Sequence, residues 1–172
     1  TFPAYARLQD HPGELKKAIE KTLFFITALT FPILGGLCLV APDLVQMVPK
    51  WAKWQPALVP LYLFSFNSAL ASISTPLTNV LNAIGKVKIN TYLMLMWTVL
   101  TWSLMPLMAT NFGYLGVAYA TALISLSSVV PIIIVKKSVD FSLQASLFSP
   151  TLAGVLMLIL GWNIPNVWLK VV

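Results

Sequence analysis

The sequence predicts an all-α fold: a polytopic transmembrane helix bundle of about five spans. Three stretches carry no Asp, Glu, Lys, Arg or His at all, namely residues 55–85, 89–135 and 141–169. An ionised side chain in hydrocarbon costs several kcal/mol, so charge-free runs of this length suit a bilayer. Of the 172 residues, 58% are hydrophobic and 9% charged, against roughly 25% charged in soluble domains. The mean hydropathy of +0.84 agrees. At roughly 20 residues per span plus loops, the length suits about five crossings.

The first span is expected over residues 22–41, between Lys21 and Asp43. At about 1.5 Å per residue it would reach roughly 30 Å, one bilayer core. Pro32, with Gly35 and Gly36, falls midway and predicts a kink. The second span, 56–83, is longer than a membrane needs, so part of it should tilt, project or break, with Pro60 and Pro76 the expected places. Pro32 and Pro76 are the candidate hinges. Gly85-Lys86 ends this span, as a helix stop should. The third and fourth spans, 89–109 and 114–135, are divided by Thr110-Asn111-Phe112-Gly113, since Asn and Gly favour turns. Lys136 and Lys137 stop the fourth. The fifth spans 147–168, with Pro150 near its start and Pro165 near its end.

Residues 1–21 read as the end of a preceding helix and a connecting linker, and 22–172 as the bundle. Within the linker, residues 13–21 are expected to lie along the membrane surface as an amphipathic helix, with Leu15 and Ile19 facing lipid. Thr1 is not Met, and five spans would put the two ends on opposite sides. Further spans are therefore expected before Thr1, and the chain reads as part of a longer one.

This topology puts eight of the eleven basic residues on one side: Arg7, Lys16, Lys17, Lys21, Lys86, Lys88, Lys136 and Lys137. Lys50, Lys53 and Lys170 fall on the other. The eight-residue side is expected to be cytoplasmic. Trp51, Trp54 and Trp168 then lie near the outer boundary, where indole rings favour the interface. The net charge of +6 is explained by this bias and does not call for nucleic acid.

Within the spans, polar residues concentrate on the second. Ser68, Ser72, Thr75, Asn79 and Asn82 recur at helical spacing and share one face, widened by Ser65, Asn67, Ser74 and Thr78. Leu63, Phe66, Leu70, Ile73, Leu77 and Ile84 occupy the other. Such a stripe must meet other helices or water, because lipid cannot satisfy it. It reads either as the wall of a transport cavity or as helix–helix packing; two asparagines and the stripe's length favour the cavity. In the fourth span Thr121, Ser125 and Ser128 share a face, and Gly116 and Ala120 have the spacing of a close-packing pair. Packing is the better reading there. Asn90, Thr98 and Thr101, with Trp97 and Trp102, leave the third span open to both.

Enzymatic chemistry finds little to work with. His11 sits in a polar loop with Asp10 and Glu14. Lone Cys38 lies in an apolar run as a small apolar residue. No metal-ligand cluster, nucleophile–base set or phosphate-binding glycine loop is visible. No cofactor and no catalytic residue is expected. The absence of an acidic residue within a span also argues against a proton- or sodium-coupling carboxylate in these spans.

Four segments, in order, carry a family likeness over residues 2–135. Phe2-Pro3-Ala4-Tyr5-Ala6-Arg7-Leu8, with Asp10 and Lys16-Lys17, resembles a recurring junction of the polysaccharide and oligosaccharide flippases. Pro32 matches the central proline of the following span. Lys53-Trp54-Gln55-Pro56-Ala57 with Pro60-Leu61, Asn82-Ala83-x-Gly85-Lys86, and Tyr114-Leu115-Gly116-Val117-Ala118-x-Ala120-Thr121 resemble the same family's helix starts and turns. These flippases belong to the multidrug, oligosaccharidyl-lipid and polysaccharide exporter superfamily.

The resemblance implies two helical lobes around a central cavity, with this chain supplying most of the C-terminal lobe. It implies a bacterial or archaeal cytoplasmic membrane and an undecaprenyl-diphosphate-linked glycan moved between leaflets. Membrane proteins of glycan assembly would be its partners. The stripe residues would line the glycan's path. Arg7, Lys86 and Lys88 would meet the diphosphate at the cytoplasmic mouth, although plain topology charges are the better reading of them. Unlike many members, this chain has no Lys or Arg inside a span. The alternatives are a multidrug cation antiporter of the same superfamily, or a membrane subunit of glycan synthesis with no transport role.

Overall fold

The computed structural model describes residues 2–9, 11–47 and 49–162. It is a helical bundle. Short α1 (Phe2–Arg7) precedes the long α2 (Pro12–Met47), and a 3-10 helix (Pro49–Ala57) leads into α3 (Leu58–Ala83). Then follow α4 (Val87–Phe112), α5 (Tyr114–Leu126), α6 (Val129–Ser138) and α7 (Leu143–Trp162). Among the described residues, four stretches are long and apolar enough to cross a membrane: Pro12–Met47, Lys50–Ala83, Val87–Phe112 and Tyr114–Ser138, with the shorter Ser146–Gly161 inside α7. Pro165, Trp168 and Lys170 fall outside the described residues, as does Asp10.

The surface linker is a correction. Residues 13–21 are the first turns of α2, and Leu15 and Ile19 are 2% and 0% exposed. They join Leu23, Tyr5, Leu77, Leu81, Val135 and Phe141 in one core. An apolar stripe at spacing four is the same whether lipid or protein covers it; here α1, α3 and the 139–141 segment belong to the same cluster. This core ties together the N-terminal turns of α2 and the C-terminal turns of α3 and α6. The bundle is therefore solid at the end that carries most of the basic residues. There Glu20 Oε1 accepts the Ser142 N–H at 2.8 Å, just ahead of α7. Lys86 Nζ donates to Ser138 Oγ at 2.7 Å.

Helix interruptions also differ from expectation. α2 is helical through Pro32 and Pro42, and α3 through Pro60 and Pro76. Each proline loses one backbone donor yet keeps a helical φ. The expected turn at Thr110–Gly113 shrinks to Gly113, at φ 60° and ψ −141°. Thr110 and Asn111 stay helical and donate to the Leu107 carbonyl at 2.9 and 2.7 Å. The fourth span breaks where none was expected, at 127–128. Pro131 has no N–H for the Ser127 carbonyl; Val130 N–H takes it instead at 2.9 Å. Ser127 Oγ meanwhile donates to the Ile124 carbonyl at 2.6 Å. A missing donor and a competing hydroxyl together tighten the turn.

The stop at Gly85 is as expected and its mechanism is visible. Gly85 has φ +76°, Lys86 N–H donates to Leu81 O at 2.9 Å, and Gly85 N–H to Asn82 O at 3.3 Å. These two bonds satisfy the last carbonyls of α3, and only glycine takes that conformation cheaply.

Candidate functional site

The polar residues of α3 occupy two adjacent faces. On the first, Ser68 and Thr75 are exposed, and Ser72, Asn79 and Asn82 are half-buried. Ser72 Oγ donates back to the Ala69 carbonyl at 2.7 Å. The predicted stripe is thus open to the outside of the bundle at Ser68 and Thr75 and half-buried at its other three residues. Its lower end is tied to α4, where Asn90 Nδ2 donates to Asn82 Oδ1 at 3.0 Å. Asn90 is 9% exposed, and its own Oδ1 has no partner among the described residues.

On the neighbouring face, Asn67, Ser74, Thr75 and Thr78 line a cavity of about 260 Å³ closed by α4 and the α5–α6 break. Trp97 and Met94 contribute from α4, Ser125 and Ser128 from the break. Of the five stripe residues, Thr75 alone lines this cavity and so joins it to the open face. Trp97 Nε1 donates to Ser127 Oγ at 2.8 Å, which fixes the indole across the break. Thr78 and Ser125 spend their hydroxyl hydrogens on the Thr75 and Ala122 carbonyls, at 2.8 and 2.6 Å. The lining carries no charge. It lies near the middle of α3, α4 and the α5–α6 span, hence near the bilayer midplane.

Ser74, Thr78, Trp97, Ser125 and Ser128 were each visible as polar or aromatic span residues. Nothing in the sequence joined them. The usable signal was Pro131 three residues beyond Ser128, which marks the break between α5 and α6. Gly116 and Ala120 do pack, as expected: both are buried, and Gly116 lies directly against the Met108 backbone of α4.

The remaining residues are placed as follows. Arg7, Lys86 and Lys88 are exposed at the basic end of the bundle, Lys86 bonded to Ser138 as above. Pro76 is buried in the core-facing side of α3 and Pro32 half-buried in α2. Cys38 lines a larger apolar cavity of about 500 Å³ between α2, α3 and α7, walled by Phe31, Tyr62, Phe66 and Leu158. Among the described residues, no three His, Cys, Asp or Glu side chains gather as metal ligands.

The Asn82–Asn90 pair gives a direct stability test. Asn82→Leu strips the buried Asn90 Nδ2 of its acceptor and should cost about 1–3 kcal/mol. The Asn82→Leu, Asn90→Leu double variant should recover most of it. A double-mutant cycle on thermal midpoints in detergent checks this; additive losses would mean that the two amides are not coupled.

Residues 1–59 match the family described as polysaccharide biosynthesis protein. The chain is 32% identical over 89 residues to a membrane protein of the cps region of Klebsiella pneumoniae, itself uncharacterized. It is likewise 32% identical over 89 residues to the lipopolysaccharide biosynthesis protein WzxC of Escherichia coli (strain K12). Each match takes in 52% of this chain and 18% of the relative, so the chain spans less than a fifth of either. No solved structure matches it. Over residues 1–59 the chain is thus similar to the polysaccharide biosynthesis protein family, and the two membrane proteins it resembles agree with that similarity.

Proposed function

We propose that this chain forms one lobe of a transporter that carries an undecaprenyl-diphosphate-linked oligosaccharide across the cytoplasmic membrane. The observation that carries the reading is the open polar face of α3. Ser68 and Thr75 are exposed in the middle of a membrane-spanning helix. In hydrocarbon such groups must meet water or other protein, so the face suits the wall of a wet path. Hydroxyls and carboxamides are what sugar hydroxyls pair with. The described carboxylates lie towards helix ends: Glu14 and Glu20 early in α2, Asp43 late in it, Asp140 between α6 and α7. An uncharged wall favours a glycan over a drug cation. Arg7, Lys86 and Lys88 stand at the cytoplasmic end, where a diphosphate would first arrive.

Deleting the gene tests the reading. The deletion strain should lose surface glycan and accumulate the lipid-linked precursor in the inner leaflet, with both reversed by the intact gene. Normal export would overturn transport. A strain that no longer assembles the precursor would favour a role in synthesis instead.

A further inference from the structure

We infer that the cavity between α3, α4 and the α5–α6 break is a subsite for one neutral sugar ring. The inference rests on the transport of a lipid-linked glycan proposed above, and names the part of that ligand this site takes.

Volume sets the first limit. About 260 Å³ equals roughly nine waters at ~30 Å³ each; one pyranose ring fits such a space and a chain of rings does not. Lining chemistry sets the second. A phosphate would need Lys or Arg, and a cation a carboxylate; neither lines the cavity. An aliphatic chain would leave the hydroxyls unpaired, at a cost for each. A sugar hydroxyl both donates and accepts, and so do the groups on this wall.

Two of those groups are poised. Ser74 and Ser128 are 5% and 7% exposed, so more than nine-tenths buried. Neither hydroxyl has a hydrogen-bond partner among the described residues. Buried polar groups are ordinarily paired, and these two come from different helices on one small cavity. Thr78 and Ser125, their hydrogens already given to backbone carbonyls, remain acceptors only. Trp97 has its Nε1 committed to Ser127, so its contribution to the lining is ring carbon, suited to the C–H face of a pyranose. Thr75 connects this alcove to the open polar face. A glycan moving along α3 would present one ring sideways into it, which makes the alcove a selector for an uncharged unit.

The test uses the full-length protein in lipid nanodiscs and saturation-transfer NMR. The probes are the methyl pyranosides of glucose, galactose, mannose and N-acetylglucosamine, with methyl glucuronide and inorganic phosphate as charged comparators. At least one neutral glycoside should show saturable transfer, several-fold stronger than either charged probe. Ser74→Ala with Ser128→Ala should weaken it about 30-fold, as expected for two lost hydrogen bonds. Removing unpaired hydroxyls leaves folding intact, which an unchanged thermal midpoint verifies. Ser149→Ala, on the exposed side of α7, should change nothing. If no neutral glycoside of the panel binds saturably, or if the double variant binds as wild type, the alcove holds water only and the inference falls. Export measured in the same strains separates the two proposals: intact export with no glycoside binding removes the subsite alone, whereas loss of the transport reading shows as normal export from the deletion strain.

Discussion

Gly116→Leu should prevent α4 and α5 from packing and leave little folded protein. A Cβ at this position would overlap the Met108 carbonyl group and crowd the Ala109 nitrogen. Those are backbone atoms inside a helix, so no rotamer change relieves the clash. Gly113, at φ 60°, reverses the chain just before, and α5 returns closely along α4 as a result. Overpacking typically costs 1–3 kcal/mol; with backbone as the obstacle, about 3 kcal/mol or more is expected. Total stabilities of ~5–15 kcal/mol make that a large fraction. Gly116→Ala should lower the thermal midpoint in detergent and Gly116→Leu should yield mainly aggregate. Gly154→Ala supplies the contrast. Its added methyl would lie 3.4 Å from Phe31 Cβ on α2, close to ordinary contact, and should cost under about 1 kcal/mol. Equal effects at the two sites would show that α4 and α5 are not in such close approach.

The loss at Gly116 would also reach the polar cavity. α5 supplies Ser125 and leads into Ser128, and Trp97 of α4 is pinned to Ser127. These residues meet because the two helices are close. In a membrane, small residues at helix contacts do this work, since burial against lipid-like side chains offers little drive.

The membrane-spanning character of the chain was legible because exclusion of charge from hydrocarbon leaves a one-dimensional trace. So were Gly85, which the left-handed conformation demands, and the small pair Gly116 and Ala120. What covers a helix face was not legible. Leu15 and Ile19 fit an interfacial helix as well as a buried one, since periodicity fixes direction but not the neighbour. For the same reason the stripe from Ser68 to Asn82 was correctly placed on one face of α3, while the cavity proved to open one face further round. Its walls come from three segments far apart in sequence. The break at 127–128 needed two weak causes acting together, a proline that lacks the donor and serines that compete for the carbonyl. Either alone is tolerated within a span, as Pro32, Pro60 and Pro76 show.

On the proposed transport reading, Ser68→Leu with Thr75→Leu should abolish most glycan export while leaving the bundle folded. Both residues are exposed on the open face of α3, and neither side chain makes a hydrogen bond within the described protein. Leucine is a good helix former there, and its added methyl groups have open space to occupy. A structural role would therefore predict no effect. If the face lines a wet path, two leucines remove two hydrogen-bonding groups and dry the wall beside the alcove. At about 1 kcal/mol for each interaction, the loss is ~2 kcal/mol, or roughly 30-fold in rate if the contacts are made at the barrier. The control is Thr98→Leu on α4. Thr98 is also exposed, but its hydroxyl donates to the Met94 carbonyl at 2.9 Å, so it offers lipid a satisfied group. Export by Thr98→Leu should match wild type. Surface glycan on cells complemented with each variant, scaled to the amount of inserted protein, gives the comparison. Wild-type export from the Ser68, Thr75 variant would mean that other protein seals this face, and α3 would then serve packing rather than passage.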